Sequence, residues 1–110
     1  MAVEVFKRCR NVGAQKTDLI YSTFNYNTIT KEMLDFSIVQ VFGENKTEII
    51  KYDSAHGKVH VHKYYTKENL IEDLDLSLSV ETYRFCLNDV ITNWARYKEK
   101  YLKKQIFNNT

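Results

Sequence analysis

At about Glu81 the apolar residues of this chain change period. Tyr83, Leu87, Val90, Trp94, Tyr97 and Tyr101 recur at steps of four and three, with Ile91 and Leu102 widening the stripe, whereas earlier segments alternate. A period of 3.6 puts apolar side chains on one stripe of a helix, and a period of two puts them on one face of a strand. The spacing therefore predicts one C-terminal helix over about 81–105, laid on a sheet made from the chain before it. Ser79 is placed to cap that helix, Glu81 falls in its first turn, and Lys98, Lys100, Lys103 and Lys104 lie toward its end, matching the helix dipole at both poles. At 1.5 Å per residue such a helix is about 37 Å long, so its last turns are expected to project beyond the sheet.

The segments before it read as strands. Val3, Val5 and Cys9 fall on one face of residues 3–9, with Phe6 out of pattern, and residues 18–26 are rich in aromatic and β-branched side chains. Over 34–42, Leu34, Phe36 and Ile38 share a face; Gly43-Glu44-Asn45-Lys46 then carries turn chemistry, and residues 47–53 follow as the next strand. Ser54-Ala55-His56-Gly57 reads as a four-residue turn before a strand over 58–65. Residues 74–80 alternate as a strand, although Leu70, Ile71, Leu74 and Leu78 also fit a helical stripe. The expected fold is α+β: an antiparallel meander of four to six strands with one long C-terminal helix packed on one face, in a single domain over 1–110.

Composition narrows the function classes. Among the 110 residues 44% are hydrophobic and none is proline, which fits a packed core and excludes a low-hydrophobicity disordered chain. Apolar runs of four residues or fewer predict neither a membrane span nor a signal peptide, so a cytoplasmic protein without membrane contact is expected. Cys9 and Cys86 have no partner at metal-ligand spacing, and there is no Gly-rich phosphate loop, so no cofactor is expected.

All three histidines, His56, His60 and His62, fall within seven residues. On a strand His60 and His62 share a face with Lys58 and Tyr64, while Val59 and Val61 point the other way, toward the helix. With the four-residue turn, Asp53 is expected opposite Lys58 and Lys51 opposite His60, which brings Lys51, Asp53, Lys58, His60 and His62 onto one surface. Three readings fit that surface. In metal-independent RNase chemistry, His60 and His62 exchange protons, Asp53 orients one of them, His56 is a further participant, and Lys51 and Lys58 hold phosphate. Alternatively His60, His62 and Asp53 ligate a transition metal. The third reading is a solvated sheet face without activity.

Charge is segregated although the net charge is only +2. Lys7, Arg8, Arg10 and Lys16 occur with no acid between them, as do most of Arg96, Lys98, Lys100, Lys103 and Lys104, whereas Glu68, Glu72, Asp73 and Asp75 form an acidic block. Basic segments interleaved with Tyr97, Tyr101 and Phe107 suit RNA or DNA contact, and more often such a pattern is a solvated helix face whose aromatics are core or dimer contacts. The run Tyr52-Asp53-x-Ala55-His56-Gly57-Lys58-x-His60-x-His62, followed by Asp89-Val90-Ile91-x-Asn93-Trp94-x-x-Tyr97-Lys98, resembles a group of small archaeal and bacterial proteins. That group is similar to the TumE-like toxins of toxin-antitoxin systems, which carry a Tyr-Asp-x-x-His-Gly/His-x-His segment after a short sheet. The resemblance covers about residues 34–104 and implies a cytosolic, toxin-like protein paired with an antitoxin, with Asp53, His56, His60 and His62 at the motif positions. The segment 70–79 departs from that pattern, in which the helix follows the histidine hairpin more directly. A homodimeric interaction module, joined through the helix or a sheet edge, is the reading from another class.

Overall fold

The computed structural model describes residues 2–55 and 57–108. Six strands precede one helix: β1 (Val3–Asn11), β2 (Leu19–Asn27), β3 (Glu32–Phe42), β4 (Thr47–Ala55), β5 (Lys58–Lys63), β6 (Leu70–Ser77) and α1 (Val80–Asn108). The strands form one antiparallel sheet in chain order, so every connection joins neighbours and the two edges are β1 and β6. The expected α+β meander with its C-terminal helix is what the chain adopts. Among the described residues no helix is long and apolar enough to cross a membrane.

The helix starts where its cap chemistry puts it. Ser79 Oγ accepts the Thr82 N–H at 3.1 Å, and the Ser79 carbonyl accepts the Tyr83 N–H at 3.0 Å. Its buried stripe of Tyr83, Cys86, Val90 and Tyr97 covers Ile20, Phe36, Ile38, Ile50, Tyr52, Val59 and Val61 on the near face of the sheet. Edge-on aromatic contacts pin each end: Tyr83 meets Phe24 and Phe36 at 5.0 and 5.5 Å between centroids, and Tyr101 meets Phe42 at 5.4 Å. Between them the Gln40 side-chain amide donates to the Trp94 carbonyl at 2.8 Å. Lys98 Nζ reaches Asp18 Oδ1 at 2.9 Å and ties the β1–β2 connection to the helix. Gly13 lies so close to Asp18 that a Cβ there would collide with that carboxylate. The helix is tethered as far as Lys104, whose ammonium donates to the Tyr64 carbonyl and Asn69 Oδ1; beyond it Ile106 is exposed.

Several local expectations are corrected. Leu34 is exposed and Met33 is buried in its place, because the β2–β3 register shifts between Asn25 and Tyr26, and a bulge exchanges the face of the residues beyond it. The last strand spans Leu70–Ser77 rather than 74–80: Ser79 is committed to the helix cap, and Leu70 and Ile71 pair with Lys63 and His62. Ile91 and Leu102 do not widen the buried stripe, since the helix rests over β2, β3 and β4 and leaves that flank open. Phe6, out of pattern among the strand residues, stacks on Phe24 at 4.8 Å on the helix side.

Candidate active site on the open sheet face

The helix covers one face of the sheet and leaves the other bare. Val59 and Val61 are fully buried under the helix, so the intervening His60 and the next residue, His62, point to the bare face, as period-two alternation requires. Asp53 pairs with His60 and Lys51 with His62, while Lys58 pairs with Ala55. The expected partners, Asp53 with Lys58 and Lys51 with His60, are therefore wrong by two residues, because β4 runs on to Ala55 and the turn is two residues shorter. A slip of two preserves the face, and the five side chains still share one surface. Gly57, at φ +78°, supplies the left-handed backbone the tight turn needs; His56 lies outside the described residues.

Two rows of side chains cross the bare face. Ser37, Asp53, His60 and Asp73 stand in one, and Val39, Lys51, His62 and Ile71 in the other. The rows are joined diagonally: His62 Nε2 lies 3.2 Å from Asp53 Oδ2, with the two side chains about one-quarter exposed at 22% and 26%. Tyr64 stacks on His62 at 5.9 Å between centroids. Burial, reinforced by the Glu48 and Asp53 carboxylates, raises the Tyr64 hydroxyl above its ordinary value, so it remains a proton donor at neutral pH. Asp73 was not singled out from sequence as a member of this site, and Tyr64 was placed on its face without a role. Asp73 is brought to His60 by the β5–β6 register, which no local signal specifies. Among the described residues no three His, Cys, Asp or Glu side chains are grouped closely enough to hold a metal ion.

A second polar cluster lies beneath the helix; its residues fall in the motif quoted from the sequence, but their meeting was not foreseen. Asp89 accepts the Tyr52 hydroxyl at 2.7 Å, the Tyr97 hydroxyl at 2.8 Å and the Asn93 amide at 2.8 Å. Asp89, Asn93 and Tyr97 repeat at steps of four, which sets them along one side of the helix, and Tyr52 alternates with Asp53 to the helix side of β4. That spacing is the signal available in the sequence. Burial, then the hydrogen bond and charge of Asp89, push the Tyr52 and Tyr97 hydroxyls well above the usual tyrosine range. Burial next to the same carboxylate pushes the Cys86 thiol up to about 12.

These raised values fix an alkaline limit. The unfolded chain releases its cysteine proton near pH 8.5 and its tyrosine protons near about pH 10, whereas the folded chain holds them, so the unfolded state gains as pH rises. Unfolding free energy is expected to be level through neutrality and to fall from about pH 8.5 upward. Urea unfolding between neutral pH and about pH 11 reads this, and a flat profile would contradict the buried hydroxyl cluster.

The basic N-terminal strand alternates too. Alternation turns Phe6, Arg8 and Arg10 to the helix side and Val5, Lys7 and Cys9 to the bare side, and a groove beside Ser22, Tyr83 and Arg84 is lined by Phe6, Arg8 and Arg10 together with Lys7 at the sheet edge. Of the tail cations, Lys98 and Lys104 are held by Asp18 and Asn69, and Lys100 lies 5.3 Å from the centre of the Tyr65 ring. No curated protein and no solved structure matches the chain. Residues 17–106, which take in β2 through almost all of α1 and with them every residue of both clusters, match the family described as a domain of unknown function, DUF7718, and the chain belongs to that family.

Proposed function

We propose that this protein is a ribonuclease of the metal-independent kind, acting from the bare sheet face. The reading rests on one observation: an imidazole 3.2 Å from a carboxylate, with a second imidazole two residues away and lysines beside them on the same surface. Residues i and i+2 of a strand stand about 7 Å apart, which leaves room for one phosphoryl group between two rings. His60 takes the proton of a ribose 2′-hydroxyl as its oxygen attacks phosphorus. His62, held in orientation by Asp53 at 3.2 Å, gives a proton to the departing 5′-oxygen. Lys51 and Lys58 offset the charge that grows on the phosphoryl oxygens, and the product is a 2′,3′-cyclic phosphate. The resemblance to TumE-like toxins adds a setting, a toxin-like component held in check by an antitoxin.

The substrate itself tests this. Purified protein is expected to cleave an RNA oligonucleotide in the presence of EDTA and to leave 2′,3′-cyclic phosphate ends. A matched oligonucleotide with 2′-deoxyribose at each cleaved position is expected to stay intact. Cleavage that stops in EDTA, or that proceeds on the deoxy substrate, would remove the mechanism.

A further inference from the structure

The two free edges of the sheet carry opposite charge. β1 presents Lys7, Arg8 and Arg10 against Glu4, and β6 presents Glu72, Asp73 and Asp75 with no cation in the strand. Both edges also expose apolar side chains: Val3 and Val5 on β1 are 43% and 56% exposed, and Leu70 and Ile71 on β6 are 43% and 59% exposed. An edge strand offers an unpaired row of N–H and C=O groups to any strand that fits it. Edge charges ordinarily prevent such pairing, and here they do so for like edges. Antiparallel β1 against β1 brings cations together, and β6 against β6 brings carboxylates together.

We propose that copies of this chain associate head to tail, β1 of one adding to the β6 edge of the next. Directions agree. With six strands alternating in direction, β1 and β6 run opposite ways, so a copy displaced along the sheet presents its β1 antiparallel to β6 with both helices on the same side. One register satisfies both faces together. Lys7 opposite Asp73 puts cation and carboxylate on the bare face, where Asp73 already stands in the His60 row. The same register sets Arg8 opposite Glu72 on the helix side and Phe6 opposite Leu74, which packs against the core. Glu72 is bound by Lys63 at 3.0 Å, yet its side chain is 40% exposed and has room for a second cation. The ladder is confined to the first half of β6, because Asp75 takes a left-handed φ of +52° and the β5–β6 register breaks there.

The join also alters the site. Lys7 of the next copy would stand about 10 Å from the His60 column, two strand spacings away, and extend the cationic surface available to a phosphate chain. The association is heterologous, so it grows into open chains unless the rotation between copies closes a ring.

The readout is mass, independent of any cleavage. Sedimentation velocity of the full chain from about 10 μM to about 1 mM is expected to show weight-average mass rising with concentration and falling as salt screens the edges. The variants Lys7→Glu/Arg8→Glu and Glu72→Lys/Asp73→Lys are each expected to associate at least tenfold more weakly. Mixed in equal amounts they are expected to recover wild-type mass, because each then meets an edge of opposite sign. Circular dichroism confirms that both remain folded; the first pair lies on an exposed strand and does not touch the core. A strictly monomeric wild type overturns the proposal, as does a dimer indifferent to charge reversal, failed recovery in the mixture of folded variants, or a basic edge that binds RNA without self-association.

Discussion

Replacing His62 with Ala is expected to slow cleavage of RNA by about 10²–10⁴-fold, and His60→Ala by a similar factor, since each change removes one of two proton transfers. The double variant is expected to be little worse than either single one, because acid and base act as a unit and their losses do not multiply. Asp53→Asn keeps both imidazoles and removes only the charge 3.2 Å from His62, so its loss is smaller. Stability is the control. Both rings point away from the core that Val59 and Val61 fill, so unfolding free energies are expected to stay within about 0.5 kcal/mol of wild type. Rates unchanged in both single variants, with normal unfolding curves, would leave the bare face without catalytic work.

Asp89→Ala is expected to have the opposite profile, with a large loss of stability. The carboxylate receives two tyrosine hydroxyls from residues only 8% and 7% exposed, and truncation leaves Tyr52 and Tyr97 without their acceptor beneath the helix. A hydrogen bond to a charged group contributes about 1.5–3 kcal/mol, and an orphaned buried hydroxyl costs about 1–3 kcal/mol. Because Asp89 itself retains some contact with solvent, water relieves part of that, and about 3 kcal/mol in all is expected. For a chain of this size the midpoint of thermal unfolding then falls by more than about 10 °C. Asp89→Asn, which keeps an acceptor oxygen but not the charge, should lose roughly half as much. Differential scanning calorimetry reads both, and a shift below about 2 °C for Asp89→Ala would mean that the cluster does not hold helix to sheet. Cleavage by the Asn variant should be unchanged while it remains folded, since the sheet separates Asp89 from the histidines.

Where an element announces itself by period, the sequence is a sound guide. The stripe from Tyr83 to Tyr101 and the cap at Ser79 place α1 to within a few residues, and alternation around Val59 and Val61 sets which way His60 and His62 point. The errors lie where one residue breaks a period. The irregular pairing at Asn25 and Tyr26 turns Leu34 outward, and the extension of β4 to Ala55 moves each partner of β5 by two positions. Neither has a local cause in composition. A bulge or a shorter turn is selected by the whole ladder of neighbouring pairs, which a single strand does not contain. The contact of His62 with Asp53 belongs to the same class: both residues were singled out, but the diagonal that joins them follows from the register.

From the chain alone came a meander of four to six extended segments followed by a helix, the face on which the histidines stand, and the separation of basic and acidic blocks. Those follow from side-chain alternation, helical spacing and charge along the backbone, which are local. Tertiary structure decided which carboxylate meets which imidazole, that Asp89 gathers Tyr52 and Tyr97, and that the basic and acidic blocks become opposite edges of one sheet. Each of these joins residues far apart in sequence, and their meeting depends on how strands align and where the helix lies across them.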